Sequence, residues 1–129
     1  MTAPLSIHDV TAADWSPLVG GYGALVEGLD DIAQCLRIAI LTPKGSVPHR
    51  PDFGCDAYLR LDHPINAIRS QLVADMLDAA ARCEPRAKVL SCTVDVDAVY
   101  PGRVEIRLRW APLVGGGEIN TTVSLAGAA

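Results

Sequence analysis

Apolar residues recur along this chain with two periods, and the change of period divides it. From Asp30 onward they share one helical face: Ile32, Leu36 and Ile40, joined by Cys35 and Ala39. Asp30 or Asp31 is placed to cap this helix. Thr42-Pro43 ends it, because the residue before a proline is pushed out of the α region. From Pro64 a second stripe runs through Ile65, Ile68, Leu72, Met76, Ala79 and Cys83, three or four residues apart. Pro64 suits its first turn, with Asp62 or His63 as the cap. Asn66, Ser70, Asp78 and Arg82 fall on other faces, and Asp78 and Arg82 form an i,i+4 pair in the favourable order. After Pro85 the period becomes two. Leu90, Cys92, Val94 and Val96 alternate with Ser91, Thr93, Asp95 and Asp97. Past the turn VYPGR, Val104, Ile106, Leu108 and Trp110 alternate with Arg103, Glu105, Arg107 and Arg109. Past PLVGGG, Ile119, Thr121, Val123 and Leu125 form a third such run.

The predicted fold is therefore α+β: two main helices packed on a small antiparallel sheet with a C-terminal three-strand meander. Residues 1–19 read as an N-terminal arm that orders against a partner, and residues 20–127 as a single domain. Within GGYGALVEG, Gly20 to Gly28, a brief strand fits between turns. Ala57 to His63 suits one short turn or strand. Between the helices, PKGSVPHRPDFGCD carries three prolines and two glycines and reads as a fixed, non-repetitive loop. The last run is nearly uncharged, with only Glu118 before it, so an unblunted edge is expected. Either another chain completes that edge by strand addition or the N-terminal segment covers it; the pattern leaves both open.

Composition narrows the chemistry. Half of the 129 residues are apolar and a fifth are charged, which is globular. The net charge of −4 gives no general attraction to nucleic acid or anionic membrane. Arg103, Arg107 and Arg109 share a strand face, but Glu105 interrupts it and alternation assigns Trp110 to the core. Nucleic acid is not expected as a partner, nor is a membrane or a small-molecule substrate. Cys35, Cys55, Cys83 and Cys92 form no C-x-x-C pair, so no metal and no cofactor is expected, only small buried thiols in a reducing compartment. Ser46, His49 and Asp52 share the proline-rich loop without a G-x-S-x-G elbow. Asp52, Asp56 and Glu84 could be offered as a glycosidase pair. Ion pairs with Arg50, Arg60 or Arg86 are the simpler reading, and the chain is not expected to be an enzyme.

One junction breaks a local rule. In CEPR, Glu84 falls at a helix C-terminus, where partial negative charge favours Lys or Arg instead. Pro85 stops the helix, and Arg86 follows. A bidentate pair to Arg86, Arg50 or a partner's arginine would explain the carboxylate.

Two stretches together resemble the phage baseplate wedge family, the baseplate assembly protein W group. One is LDDIAQCLRIAILTPKGSVPHRPDFGCD, running on to LDHP; the other is ARCEPRAKVLSCTVDVD. The resemblance covers about residues 20 to 125. Ser46 departs from the acidic residue common after the loop glycine, and Cys55 from a small or polar one. The resemblance implies a structural subunit in the inner ring of a contractile-tail baseplate, in a virion or tail-like particle assembled in the host cytoplasm. Its implied partners are other baseplate wedge proteins, central hub and spike proteins, and the tail sheath protein, whose polymerisation it would template by strand exchange. A type VI secretion baseplate subunit is the alternative, and a lysozyme-like peptidoglycan hydrolase a weaker one. Residues expected at partner contacts are Arg50, Pro51, Asp52, Phe53 and Gly54 in the loop, Glu84, Pro85 and Arg86 at the junction, and Ile119, Thr121 and Val123 on the edge. The loop and junction are expected to lie side by side as a docking corner. Proline at Thr121 or Val123 is expected to block sheath nucleation while sparing the fold.

Overall fold

A computed structural model describes residues 5–60, 62–100 and 102–126. The first four residues of the expected arm, Leu61, Pro101 in the expected turn and residue 127 lie outside it. In chain order the elements are β1 (Trp15–Pro17), β2 (Leu25–Glu27), α1 (Gly28–Leu41), a short 3-10 helix (Asp56–Arg60), α2 (Ile65–Cys83), β3 (Ala87–Val96), β4 (Arg103–Pro112) and β5 (Ile119–Ala126). The α+β class and the C-terminal meander are as the periodicity predicts. β3, β4 and β5 form one antiparallel sheet in that order, and β1 pairs antiparallel with β2 in a second.

The helices cover one face of the larger sheet. α2 packs on β3, and α1 packs on α2 and β5. Leu36 and Ile40 of α1, Leu72 and Met76 of α2, and Ile106, Leu108 and Trp110 of β4 lose essentially all contact with solvent. Each such side chain contributes about 2 kcal/mol of burial free energy. The Trp110 indole N–H donates to Thr121 Oγ1 at 3.0 Å, so the most deeply buried polar edge is satisfied inside the sheet.

Three local expectations are corrected. First, neither Asp30 nor Asp31 caps α1. Glu27 is the N-cap residue and makes no side-chain capping bond. Its carboxylate instead accepts the N–H groups of Thr11 and Ala12 at 2.8 and 2.9 Å. Second, Pro64, not Asp62 or His63, is the N-cap residue of α2. The C-terminal end is as expected: the Glu84 N–H makes the last helical bond, to Ala80 O at 3.0 Å, before Pro85. Third, β3 does not keep one phase. Val89 pairs with Trp110 but Ser91 pairs with Arg109, which leaves Leu90 as a bulge. Ala87 and Val89 point inward before it, and Cys92 and Val94 after it. Leu90, expected in the core, is 39% exposed.

Candidate docking surfaces

The junction is built around Arg86. Its Nε and one terminal nitrogen donate to the two oxygens of Glu84 at 2.7 and 2.9 Å, a bidentate pair. The other terminal nitrogen donates to Asp31 Oδ2 at 3.0 Å and lies 3.5 Å from Asp14. Asp31 and Glu84 are both almost fully buried, and Arg86 is partly so. Two buried carboxylates beside it hold the guanidinium pKa above its already high value. Asp31 also accepts from Ser16 Oγ, and Gln34 donates to Ser16 Oγ and Pro17 O at 3.1 and 2.9 Å. The misplaced carboxylate thus joins α2, β3, α1 and the N-terminal segment. Of the three arginines considered for Glu84, the intramolecular Arg86 is the one that takes it. Arg50 lies instead over the Phe53 ring, 4.6 Å from its centroid.

Residues 43–56 form a closed loop. The Cys55 N–H donates to Thr42 O at 2.9 Å and the Lys44 N–H to Cys55 O at 3.3 Å. Gly54 has φ +112, and a Cβ there would stand 2.6 Å from Thr42 O, so glycine is required by both backbone and space. Arg82, in the last turn of α2, donates to the carbonyls of Asp52 and Gly54 while its Nε pairs with Asp78 at 3.0 Å. The loop and the junction therefore meet through the end of α2. Glu84 is held on the Arg86 side, and the loop is held from Arg82. Ser46 Oγ donates to Pro43 O at 2.6 Å, inside its own turn. Asp56 pairs with Lys44 at 3.9 Å, and Arg60 pairs with Asp75 on α2. Neither follows the ion pairing expected from sequence.

At the sheet's end, β5 has a hydrogen-bonded neighbour on one side only among the described residues. The N-terminal segment, as described from Leu5, pairs with β2 and not with β5. The Asp97 N–H donates to Arg103 O at 3.0 Å, so odd-numbered β4 residues aim their backbone at β3 and even-numbered ones at β5. Leu108 pairs with Thr121 and Ile106 with Val123. Hence Ile119, Thr121 and Val123 spend their backbone groups on β4, and Thr121 and Val123 are buried against the core. The outward-facing backbone groups belong to Asn120, Thr122 and Ser124, whose side chains are exposed.

The sequence marks Asp31 and Arg82 only for local roles, as a cap and as an i,i+4 partner of Asp78, and does not single out this even-numbered set. Alternation gives the faces of β5 but not which parity pairs with β4. Asp31 and Arg82 act on residues far along the chain. Burial pushes the Cys35 and Cys92 thiols up to about 11, with Asp31 and Glu84 adding to the effect at Cys35.

The family model for baseplate wedge protein gp25 matches residues 26–111, from β2 into β4, and so spans both motifs. Among solved structures, the chain is similar to a Geobacter sulfurreducens protein provisionally named a tail lysozyme. The two are 27% identical with a TM-score of 0.71, over 78% of this chain and 91% of that one. It is also similar to a chain of the baseplate complex from the type VI secretion system, 20% identical with a TM-score of 0.59, over 78% and 91% respectively. At that identity the second likeness is one of fold. Curated proteins give no match. With the family model covering more than half its length, this chain belongs to the baseplate wedge protein gp25 family, a family of structural baseplate components.

Proposed function

We propose that the protein is a wedge subunit of a contractile phage tail or tail-like particle, joining inner-ring wedge proteins around the hub. In this role it takes no part in catalysis and works through its surfaces. The free edge of β5 starts the sheath by accepting a strand of the sheath protein. The observation that carries this is the unblunted edge itself. Ile119 to Leu125 contains no charged residue, and the backbone groups of Asn120, Thr122 and Ser124 face away from β4. The opposite edge, on β3, is interrupted by the bulge at Leu90, a feature that discourages pairing. A type VI secretion baseplate is the second reading, favoured by the fold likeness to a chain of that complex; the R-P-D-F-G loop sides with the phage-like form.

The test is sheath polymerisation from purified baseplates. Thr122→Pro removes an outward N–H without touching the β4 ladder, and is expected to abolish nucleation while the baseplate still forms. Sheaths of normal length on that variant would sink strand exchange through β5. Clearing of a peptidoglycan zymogram by the pure protein would sink the structural reading altogether.

A further inference from the structure

The loop between α1 and α2 is fixed from several sides, yet what it displays is exposed. Arg82 holds two of its carbonyls, Cys55 ties it to Thr42, and the Arg50 and Phe53 N–H groups close turns onto Val47 O and Arg50 O at 3.2 and 3.1 Å. On this frame His49, Arg50, Pro51 and Asp52 are all exposed. They rim an open hollow of about 290 Å³ that Phe53, Arg82 and Cys83 complete. His49 has φ +66 and is the one non-glycine residue with positive φ among the described residues. Such a conformation persists only where its surroundings impose it, and it concentrates at functional positions.

The charged residues lining this hollow are Arg50, Asp52 and Arg82, and Arg82 is already committed to Asp78 and to the loop carbonyls. The guanidinium carbon of Arg50 lies over the Phe53 ring, 4.6 Å from the centroid, a contact that restrains it. Arg60, Arg69, Arg82, Arg86, Arg107 and Arg109 each meet a carboxylate; Arg37 and Arg103, like Arg50, meet none among the described residues, but only Arg50 of these three lines the hollow. Among the described residues none is paired with Arg50, so its N–H edge stays available. A guanidinium already restrained loses less freedom when it takes a carboxylate in two parallel hydrogen bonds. Asp52 on the same rim, and a net charge of −4, disfavour capture of a free multivalent anion. A carboxylate delivered by a protein surface is positioned by the rest of that interface and avoids this penalty.

We infer that the hollow is a docking socket for an acidic side chain of another baseplate protein, received by Arg50. The inference rests on the baseplate reading and adds the chemistry of the group the loop takes. It is tested by co-purifying the full chain with the other baseplate proteins of its particle and titrating the affinity. Failure of the wild-type chain to co-purify would overturn the baseplate reading, and this inference with it. Given wild-type assembly, Arg50→Glu is expected to weaken binding tenfold or more with an unchanged urea midpoint. Arg50→Gln should weaken it less, and Arg50→Lys should recover only part, having charge without the fork. A photo-crosslinking residue in place of His49 should capture a partner peptide containing Asp or Glu. Reversing that acid to arginine should restore binding to Arg50→Glu. Wild-type affinity in Arg50→Glu, or a captured peptide with no acid in reach, would overturn the socket while leaving the baseplate reading standing.

Discussion

Arg86 is the residue on which most of the molecule's internal polar chemistry converges. Removing it leaves Asp31 and Glu84 buried without a cation, so Arg86→Ala is expected to destabilise the fold by about 3 kcal/mol, read from urea denaturation. Arg86→Lys should recover only a fraction, because one ammonium cannot reproduce a two-oxygen grip on Glu84 and a bond to Asp31 together. Gly54→Ala is expected to cost about 3 kcal/mol in the same assay, since a positive φ and a backbone clash act at one position. The two sites differ in how visible they are in the sequence. Glu84 and Arg86 are two residues apart, and a carboxylate at the wrong helix end announces a partner nearby. Asp31 lies 55 residues from Arg86, and Arg82 lies 30 from Asp52. No local pattern encodes those separations, so Asp31 reads as an ordinary first-turn acid.

Among the elements, α2 and β4 are read correctly because each keeps one period throughout. A single stripe on α2 buries Ile68, Leu72, Met76 and Ala79, and alternation on β4 buries Ile106, Leu108 and Trp110. β3 is misread because one extra residue at Leu90 reverses its phase, and a bulge leaves no mark in a run of β-favouring residues. β5 shows a subtler gap. Alternation separates its faces, but which residues offer backbone to a newcomer depends on register with β4. That register relocates the proline test. Thr121→Pro would break the β4 ladder and strip the Trp110 indole of its acceptor. Val123→Pro would break the ladder beside a buried side chain. Each is expected to cost about 3 kcal/mol or more and to lower the thermal midpoint. Thr122→Pro should leave circular dichroism and the midpoint near wild type, because edge strands tolerate proline where the N–H faces outward. A midpoint for Thr122→Pro as low as that of Val123→Pro would show that the assigned parity is reversed.

At the scale of the whole molecule, the N-terminal segment and the sheet are held by different forces, and they should come apart under different conditions. The sheet rests on a buried apolar core and on ladder hydrogen bonds shielded from water. The segment before β2 is held by the short β1–β2 ladder, by Ser16 on buried Asp31, and by polar side chains nearer the surface: Glu27 on Thr11 and Ala12, Gln34 on Ser16 and Pro17, and Arg86 on Asp14. Acid separates the two. The Ala12 and Thr11 amides hold the Glu27 carboxyl below its ordinary value of 4.5, because they bond the ionised form. A depressed folded value means that the contribution of Glu27 is fully present above that ordinary value. It is lost as pH falls through the lower, folded one. Hydrogen exchange followed by nuclear magnetic resonance is expected to show Thr11 and Ala12 losing protection on acidification while Ile106 and Leu108 keep theirs. Glu27→Gln should weaken protection at Thr11 and Ala12 at neutral pH and remove this pH step, leaving β4 unchanged. Simultaneous loss at all four amides would mean that the segment and the sheet unfold as one unit. Separate loss would leave the β3–β5 sheet, with its free edge, intact after the N-terminal segment has let go. The edge proposed to nucleate sheath would then be independent of how the N-terminal segment is engaged.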